Sequence, residues 1–309
     1  MTDYHYDIAV VGGGPAGLQA TLILARLSKR IIVFDSPESP RNGASHGVHN
    51  FIGLDGLTPT EIREAVWRQI EVYNSAELRH ERVVNIQHHD DSGFIVTAEK
   101  DSSITAKYVI LALGFRDIYP DVPGFLECWG DTIIGCPYCD GYENRDRIWG
   151  MVASSQPALE HMPHLYRNWT NKAKLIVAPG LQLNDEQRRD LAAQGIAIHE
   201  GEIATVQHTA GKVEAVTLNT GEQVTVDTLW WRPDETSQLL TEKVITNFKL
   251  ELNDNGSIKT DAQYETSIKG LWAVGDVLRG WAWALGAASQ GSMAAFAISR
   301  IWYADHNSD

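Results

Sequence analysis

Apolar runs and amphipathic stretches alternate at the start of the chain. The run at 6–11 predicts a buried strand, and a glycine-rich loop follows it. Residues 16–27 have the apolar spacing of an amphipathic helix, and a second apolar run at 31–34 ends in Asp35. This order of strand, loop, helix and strand is typical of a parallel α/β unit.

The same alternation continues through the rest of the chain. Further strands are predicted at 83–84, 94–97, 108–112, 148–152, 174–177 and 270–276, and further helices at 61–73, 157–168 and 284–303. The segment 120–124 begins with proline and ends with glycine, which predicts a crossing between domains. We therefore predict an α/β fold of two nucleotide-binding, Rossmann-like domains, each with three layers and one inserted into the other.

Composition narrows the classes of function. The chain has 309 residues, of which 43% are hydrophobic, and this is enough to bury the cores of two domains. The net charge of −14 argues against nucleic acid or an anionic membrane as a partner. No apolar run reaches the roughly 20 residues of a membrane span. The N-terminus has no export signal, so we expect a cytoplasmic protein.

Residues 12–17 fit the pattern G-x-G-x-x-G. Gly12 permits the tight turn, Gly14 lets the backbone approach a pyrophosphate at the helix N-terminus, and Gly17 lets the helix pack on the sheet. Asp35 ends the next strand, where an acid accepts hydrogen bonds from an adenosine ribose. The sequence therefore predicts a dinucleotide site, and the motif alone does not distinguish FAD from NAD.

Two of the three cysteines, Cys136 and Cys139, form a Cys-x-x-Cys pair, while Cys128 stands alone as a small apolar residue. A close pair of this kind indicates redox or metal chemistry. No second cysteine pair exists, and His161 and His164 have no partner pair, so redox chemistry is favoured over half of a zinc site and no metal is expected. The first cysteine of such a motif is commonly the nucleophile when the motif opens a helix.

Three further segments resemble the low-molecular-weight thioredoxin reductase family of FAD disulfide oxidoreductases. Residues 266–276 resemble the second flavin motif, 49–53 resemble the loop under the isoalloxazine, and 136–141 resemble the redox motif. The resemblance covers essentially the whole chain, with the motifs in the family order.

The resemblance implies a split outer domain, 1–117 with 247–309, that holds FAD, and an inserted domain, 118–246, that carries the dithiol and normally binds NADPH. It implies that Cys139 faces the flavin, that Cys136 exchanges with substrate, and that Asp140 is the proton carrier. It also implies a homodimer.

The glycine motif and the resemblance together assign a set of residues to FAD. These residues are Gly12, Gly14, Pro15, Ala16, Gly17, Asp35, Ser36, Arg41, Asn42, His46, Asn50, Val84, Ala112, Gly114, Gly275, Asp276, Trp283 and Ala284. The segments 41–42 and 45–46 resemble a subgroup that includes the dithiol oxidases of disulfide-containing natural products.

The inserted domain lacks the glycine fingerprint that a nicotinamide cofactor needs. Alignment on the family pattern places Ala-Ser-Ser-Gln-Pro-Ala, residues 153–158, where Gly-x-Gly-x-x-Ala belongs, and Pro157 removes one N–H from the helix start. The next strand ends in 178–180, which offers neither arginines for a 2′-phosphate nor an acid for a ribose. We predict that the protein does not use NADPH; the alternative is a degenerate loop that binds it weakly.

Tryptophans are frequent, and two pairs stand out. Trp230 and Trp231 lie where the inserted domain returns towards the flavin, and Trp281 and Trp283 follow the Gly-Asp motif. Three interpretations stay open: ordinary core residues, an aromatic platform over the flavin, or a vacated pocket that holds a second flat cofactor such as a second FAD or another flavin.

The predicted function is that of an FAD-dependent thiol–disulfide oxidoreductase. Two electrons pass between flavin and the Cys136/Cys139 pair, and to or from a dithiol or disulfide substrate, either a thioredoxin-like protein or a small molecule. The electron partner is unknown. Asp140 favours a reductase, and the 41–46 segment favours an oxygen-dependent dithiol oxidase. An NADPH-dependent thioredoxin reductase and a non-catalytic redox-sensing flavoprotein also stay open.

Overall fold

The chain divides into two compact units. One comprises 1–41, 51–116 and 235–309, and the other comprises 42–50 and 117–234. The structure, a computed structural model, describes residues 5–38, 41, 43–89, 93–100, 102–280 and 282–306.

Strands and helices alternate in both units. The strands are β1 (Tyr6–Val11), β2 (Ile31–Phe34), β3 (Ala76–Arg79), β4 (Val83–His89), β5 (Gly93–Ala98), β6 (Ser103–Leu111), β7 (Phe115–Ile118), β8 (Ile133–Ile134), β9 (Trp149–Ala153), β10 (Ala173–Val177), β11 (Ala197–Glu200), β12 (Ile203–Thr209), β13 (Lys212–Leu218), β14 (Gln223–Thr225), β15 (Thr228–Trp230), β16 (Asp234–Ser237) and β17 (Leu271–Ala273). The helices are α1 (Pro15–Arg26), α2 (Pro59–Ile70), α3 (Phe125–Cys128), α4 (Pro137–Asp140), α5 (Gln156–Leu165), α6 (Asp185–Ala193), α7 (Leu239–Phe248) and α8 (Ala284–His306).

The first unit is built on one sheet with the strand order β3-β2-β1-β6-β5-β4, and β17 also pairs with β6. The central strands are parallel, so that Val10 pairs with Val33 on one side and with Ile110 on the other. The paired segments 8–11, 31–34 and 108–111 of these strands are apolar, as expected for a sheet that is covered on both faces. α1 and α8 pack on one face, while α7 packs on the other.

The second unit has a parallel sheet with the order β11-β10-β9-β15-β8 and an antiparallel sheet of β12, β13 and β14. Met151 of β9 pairs with Leu175 and with Trp230, which places β9 at the centre. α5 follows β9 and α6 follows β10, as in a Rossmann-type unit. The predicted α/β class with two such units is confirmed.

Local capping explains where the helix bounds differ from the predicted ones. The helix predicted at 61–73 begins at Pro59, because the side chain of Thr58 and the side chain of Glu61 cap each other's backbone N–H groups. It ends at Ile70 and continues as a 3₁₀ turn, Glu71–Tyr73.

The unit boundaries also differ from the predicted domain limits of 118–246. α7 belongs to the first unit because Leu240, Val244 and Phe248 are buried in the core of its sheet. The segment 42–50 belongs to the second unit, although it lies between two segments of the first. None of the helices in the described ranges combines the length and apolar character needed to cross a bilayer.

Candidate functional site

Steric constraints explain two glycines of the loop between β1 and α1. Gly12 has a φ of +118°, and a Cβ there would overlap the carbonyl oxygen of Ala112. A Cβ on Gly17 would overlap the carbonyl oxygen of Gly12. Both positions therefore require glycine for α1 to approach the sheet this closely.

Gly14 has a different role in the same loop. It is the N-cap residue of α1, it has no side chain to cap the first turn, and a Cβ built on it meets no atom within 4 Å. Pro15 follows at the first helical position, where its missing N–H costs nothing, and Ala16 is buried beneath the turn. The first-turn N–H groups of α1 thus face an open cradle, which suits a pyrophosphate.

Asp35 directly follows β2, beside this loop. Its Oδ1 accepts the N–H of Gly13 at 3.2 Å, and its Oδ2 forms an ion pair with Arg63 of α2. Burial lowers the pKa of Arg63. Ser36 follows in the same loop, in which Ser36 Oγ accepts the N–H of Glu38 at 3.4 Å.

Val84 lies on β4 at an irregularity in its pairing with β5. Its carbonyl oxygen accepts a hydrogen bond from Nζ of Lys243 at 3.3 Å. Two residues earlier, Arg82 forms an ion pair with Glu38 of the loop after β2. This ion pair ties the start of the strand that carries Val84 to the loop that follows Asp35.

The second flavin motif lies at the carboxyl end of β17, next to the ends of β6 and β1. Gly275 donates its N–H to Oε1 of Gln290 at 2.6 Å. Asp276 Oδ2 lies 3.5 Å from a guanidinium nitrogen of Arg41. The central guanidinium carbon of Arg41 lies 3.9 Å from the centroid of the Phe115 ring. Ala112 and Gly114 follow β6 at the same end, and Gly114 has a φ of +62°.

Trp283 precedes α8, which begins at Ala284. Its carbonyl oxygen accepts the N–H of Ala287 at 3.0 Å. A Cβ on Gly286 would overlap the indole, so the ring lies against the first turn of α8, while half of the side chain stays exposed. A flat aromatic face is therefore presented at the start of this helix.

The residues of the first unit fit FAD. They combine an open pyrophosphate cradle at Gly14, a carboxylate at Asp35 and a second glycine turn at Gly275, all at the carboxyl ends of parallel strands. This is the edge at which dinucleotides bind in doubly wound sheets.

The dithiol lies in the second unit, where Cys136 is the N-cap residue of α4. Its carbonyl oxygen accepts the N–H groups of Cys139 at 3.1 Å and Asp140 at 3.2 Å. A hydrogen bond from the Cys139 side chain lowers the pKa of the Cys136 thiol, and the N–H groups of Cys139 and Tyr138 add to this effect, against burial and the Asp140 charge. Cys136 is therefore the favoured thiolate and nucleophile.

Asp140 follows Cys139 at the end of α4. Burial raises the pKa of Asp140 to about 7, the negative charge of Glu143 adds to the rise, and His49 opposes it. His49 Nε2 lies 3.5 Å from Oε1 of Glu143. A carboxyl group that titrates near neutral pH beside a dithiol is suited to carry a proton.

Asn144 holds the turn after the dithiol. It is buried, and its Nδ2 donates to the carbonyl oxygens of Asp140 at 3.0 Å and Asp131 at 3.1 Å. Its Oδ1 accepts from Oγ1 of Thr228 at 3.0 Å and from Arg147 at 2.9 Å. Both Nδ2 and Oδ1 of Asn144 are thus engaged, and these hydrogen bonds fix the backbone of Asp140 relative to β15.

Two tryptophans pack behind the dithiol turn. The rings of Trp169 and Trp149 stack with centroids 5.8 Å apart, and Trp149 Nε1 donates to the carbonyl oxygen of Asn144 at 2.8 Å. A Cβ on Gly141 would overlap the Pro137 carbonyl and lie 2.8 Å from the Trp169 indole. Gly141 is therefore required for the close packing of Trp169 on α4.

The 42–50 segment places predicted cofactor residues in the second unit. Asn50 has a φ of +62°, and its Nδ2 donates to the carbonyl oxygen of Tyr138 within the dithiol motif at 2.8 Å. His46 is exposed. The assignment of His46 and Asn50 to FAD stays a prediction, and Asn42 lies outside the described residues.

The degenerate loop after β9 forms a self-capped helix start. Ser155 is the N-cap residue of α5, and its Oγ accepts the N–H of Ala158 at 3.3 Å. Pro157 at the second helical position has no N–H. This helix start does not fit a pyrophosphate, because a serine side chain takes the place that Gly14 leaves open in α1.

Sequence reasoning missed several residues around both parts of the site. Arg63, Gln290, Glu143 and Asn144 contact predicted site residues, but none belongs to a motif, and only the fold brings them there. The remaining cysteine, Cys128, is buried, and burial raises its pKa to about 11, so it is unsuited to thiolate chemistry. No group of three or more metal-binding side chains occurs among the residues that the structure describes.

Comparison with known proteins gives the family. The model of the pyridine nucleotide-disulphide oxidoreductase family matches residues 6–147 and 174–291. The chain belongs to this family. It is therefore an oxidoreductase acting on sulfur groups, and its membership implies FAD binding.

Similar family members come from fungi and bacteria. Thioredoxin reductase sirT of Leptosphaeria maculans is 29% identical over 88% of this chain and 86% of its own length. Thioredoxin reductase tcpT of Claviceps purpurea is 30% identical over 87% of this chain and 86% of its own. The crystal structure of TrxB from Bacillus anthracis, 29% identical, superposes with a TM-score of 0.89 over 97% of this chain and 99% of that one.

Proposed function

We propose that this oxidoreductase exchanges two electrons between FAD in its first unit and the Cys136/Cys139 pair, and between that pair and a dithiol or disulfide substrate, without NADPH. One observation carries the dithiol role: Cys136 accepts a hydrogen bond from Cys139 at the start of α4, beside the partly buried carboxyl group of Asp140. A thiolate, a resolving thiol and a proton carrier are the three groups that thiol–disulfide exchange needs.

The exchange step balances on these residues in the direction of substrate oxidation. A substrate thiolate attacks Sγ of Cys136, the Cys136–Cys139 bond breaks, and Cys139 leaves with the electron pair and takes a proton from Asp140. The second substrate thiol then gives its proton to the Asp140 carboxylate, attacks the first substrate sulfur and releases Cys136 as a thiolate. The substrate becomes a disulfide, and the cysteine pair gains two electrons. FAD, when bound, supplies the two-electron acceptor or donor for this pair.

The residues that would hold FAD are those predicted from the sequence. Gly14 would leave room for the pyrophosphate at the start of α1, while Gly12 and Gly17 let this helix approach the sheet. Asp35 would bind the adenosine ribose, and Asp276 would meet the ribityl chain. The part of Trp283 that stays exposed would lie against the flavin.

Independence from NADPH is supported by the self-capped start of α5. The hydroxyl of Ser155 takes the Ala158 N–H, and Pro157 offers none, so two of the donors that would hold a pyrophosphate are lost.

An anaerobic titration of the oxidised flavoprotein tests the proposal. NADPH is expected to leave the flavin absorbance unchanged, whereas a small dithiol such as dithiothreitol is expected to bleach it stoichiometrically. The Cys139→Ser variant should keep its flavin and lose the response to dithiothreitol. Rapid bleaching by NADPH would refute NADPH independence and favour the thioredoxin reductase activity that the names of the relatives carry.

The titration has two extensions. Rapid reoxidation by air with turnover of a dithiol would identify an oxygen-dependent dithiol oxidase. Acid release of flavin should give about one FAD per chain, and about two would indicate a second flavin in the inserted unit. A thioredoxin-like protein is the proposed substrate class, a homodimer the proposed assembly, and the cytoplasm the proposed location.

A further inference from the structure

A histidine and two carboxylates surround the dithiol turn of the second unit. His49 Nε2 lies 3.5 Å from Glu143 Oε1, and the charges of both groups act on Asp140. Asp140 ends α4, Glu143 follows three residues later, and His49 comes from the 42–50 segment. His49 thus pairs with one carboxylate, Glu143, and its charge acts on a second, Asp140, beside the turn that carries Cys136 and Cys139.

Contacts on both sides of His49 hold its segment against the dithiol. Asn50 Nδ2 donates to the carbonyl oxygen of Tyr138 at 2.8 Å. On the other side, the backbone of Ala44 lies so close to Gly130 that a Cβ there would come within 2.7 Å of the Ala44 carbonyl carbon and oxygen. The imidazole is therefore positioned by the backbone of the dithiol unit.

The two neighbours act on Asp140 in opposite directions. Besides burial, the charge of Glu143 raises the pKa of Asp140, and the charge of His49 lowers it. Three cations of the neighbouring elements have partners of their own: Arg145 lies over the ring of Tyr142, Arg147 donates to Asn144, and Lys212 pairs with Asp131. The Asp140 charge also acts on the dithiol, because it raises the pKa of the Cys136 thiol.

We propose that His49 is a positioning residue of the dithiol centre which, together with Glu143, sets whether Asp140 holds a proton during exchange at Cys136. This inference rests on the redox role proposed for Cys136 and Cys139. Of the two protons that a substrate dithiol releases on oxidation, one reaches Cys139 through Asp140, and the other leaves to solvent when the attacking thiolate forms. In substrate reduction the same protons return to the substrate sulfurs.

The test is the pH profile of Cys136 alkylation in the reduced flavoprotein. Iodoacetamide is added at pH values from 5 to 10, and the modified peptide is quantified by mass spectrometry. The protonation of Asp140 is followed in parallel through its infrared carboxylic acid band, which is identified by its loss in Asp140→Asn. His49→Gln should raise the pH midpoint of the Asp140 titration by about one unit, and Glu143→Gln should lower this midpoint by about as much. His161→Gln, an exposed histidine of α5, is the matched control and should leave it in place.

The opposite directions separate the proposal from a structural effect. Equal shifts in both variants, or no shift in either, would overturn the role of His49. A variant that failed to fold would lose the Asp140 band and the flavin instead of displacing the midpoint. Failure of the proposed function looks different: Cys136 of the parent protein would then not react with iodoacetamide, and dithiothreitol would not bleach the flavin.

Discussion

Replacing Asp140 with Asn should stabilise the folded protein above neutral pH and have little effect in acid. Burial raises the pKa of Asp140 from 3.8 to about 7, with Glu143 adding to the rise and His49 opposing it. Between these two values the folded protein holds a proton that the unfolded chain has released. The parent protein therefore loses stability as the pH rises through this window, and above pH 7 the loss is complete.

The magnitude follows from the size of the shift. Each pH unit of difference corresponds to about 1.4 kcal/mol, so a rise from 3.8 to about 7 sets an upper bound of about 4 kcal/mol. Asp140 keeps part of its surface exposed, and solvent screening reduces this bound. We expect Asp140→Asn to gain about 2 kcal/mol at pH 8.

Urea unfolding of the flavoprotein, followed by circular dichroism between pH 5.5 and 8.5, measures this difference. The difference in the free energy of unfolding between variant and parent should increase with pH and level off above pH 7. Glu214→Gln, which removes an exposed carboxylate from β13, is the matched control and should show no such trend. A gap that is constant over the range, or one that narrows as the pH rises, would refute the burial argument for Asp140.

Three further substitutions test the packing around the two parts of the site. Gly17→Ala should lose flavin during purification because the new methyl group overlaps the Gly12 carbonyl. Gly280→Ala, where the methyl group enters open space, is the control and should retain flavin. The absorbance ratio of flavin to protein measures the flavin content of both variants. Asn144→Ala should cost about 3 kcal/mol, since it strips the buried Thr228 hydroxyl of its partner, and thermal unfolding should show a lower midpoint. Gly141→Ala should cost about 1–3 kcal/mol by overpacking against Trp169, and quench or shift tryptophan fluorescence.

The elements beside the glycine loop could be predicted from the sequence because their signals are local. β1 and β2 occupy the predicted ranges, since strands buried on both faces leave continuous apolar runs. The glycines at 12 and 17 mark close backbone approaches that no other residue permits. The helix predicted from 284 also begins there, at Ala284, although it continues to His306.

The arrangement around the dithiol could not be predicted, because it depends on contacts between distant parts of the chain. The pair of His49 and Glu143 joins two segments far apart in sequence, and Glu143 lies in no recognisable pattern. The 42–50 segment follows β2 of the first unit and gives no local sign that it packs in the second. Similarly, α7 has the same amphipathic character as the helices of the inserted unit, so only its packing on the first sheet reveals where it belongs.

The starts of α1 and α5 show how one residue decides what a helix terminus binds. The first-turn N–H groups of any helix need acceptors. In α5 the protein supplies one through Ser155 and removes the need for another with Pro157, so this terminus needs no ligand. In α1 the N-cap residue is Gly14, which supplies none, and an anion is the natural acceptor. An anion bound at α1 would therefore stabilise the first unit by mass action, whereas in α5 the Ser155 side chain already accepts one first-turn N–H.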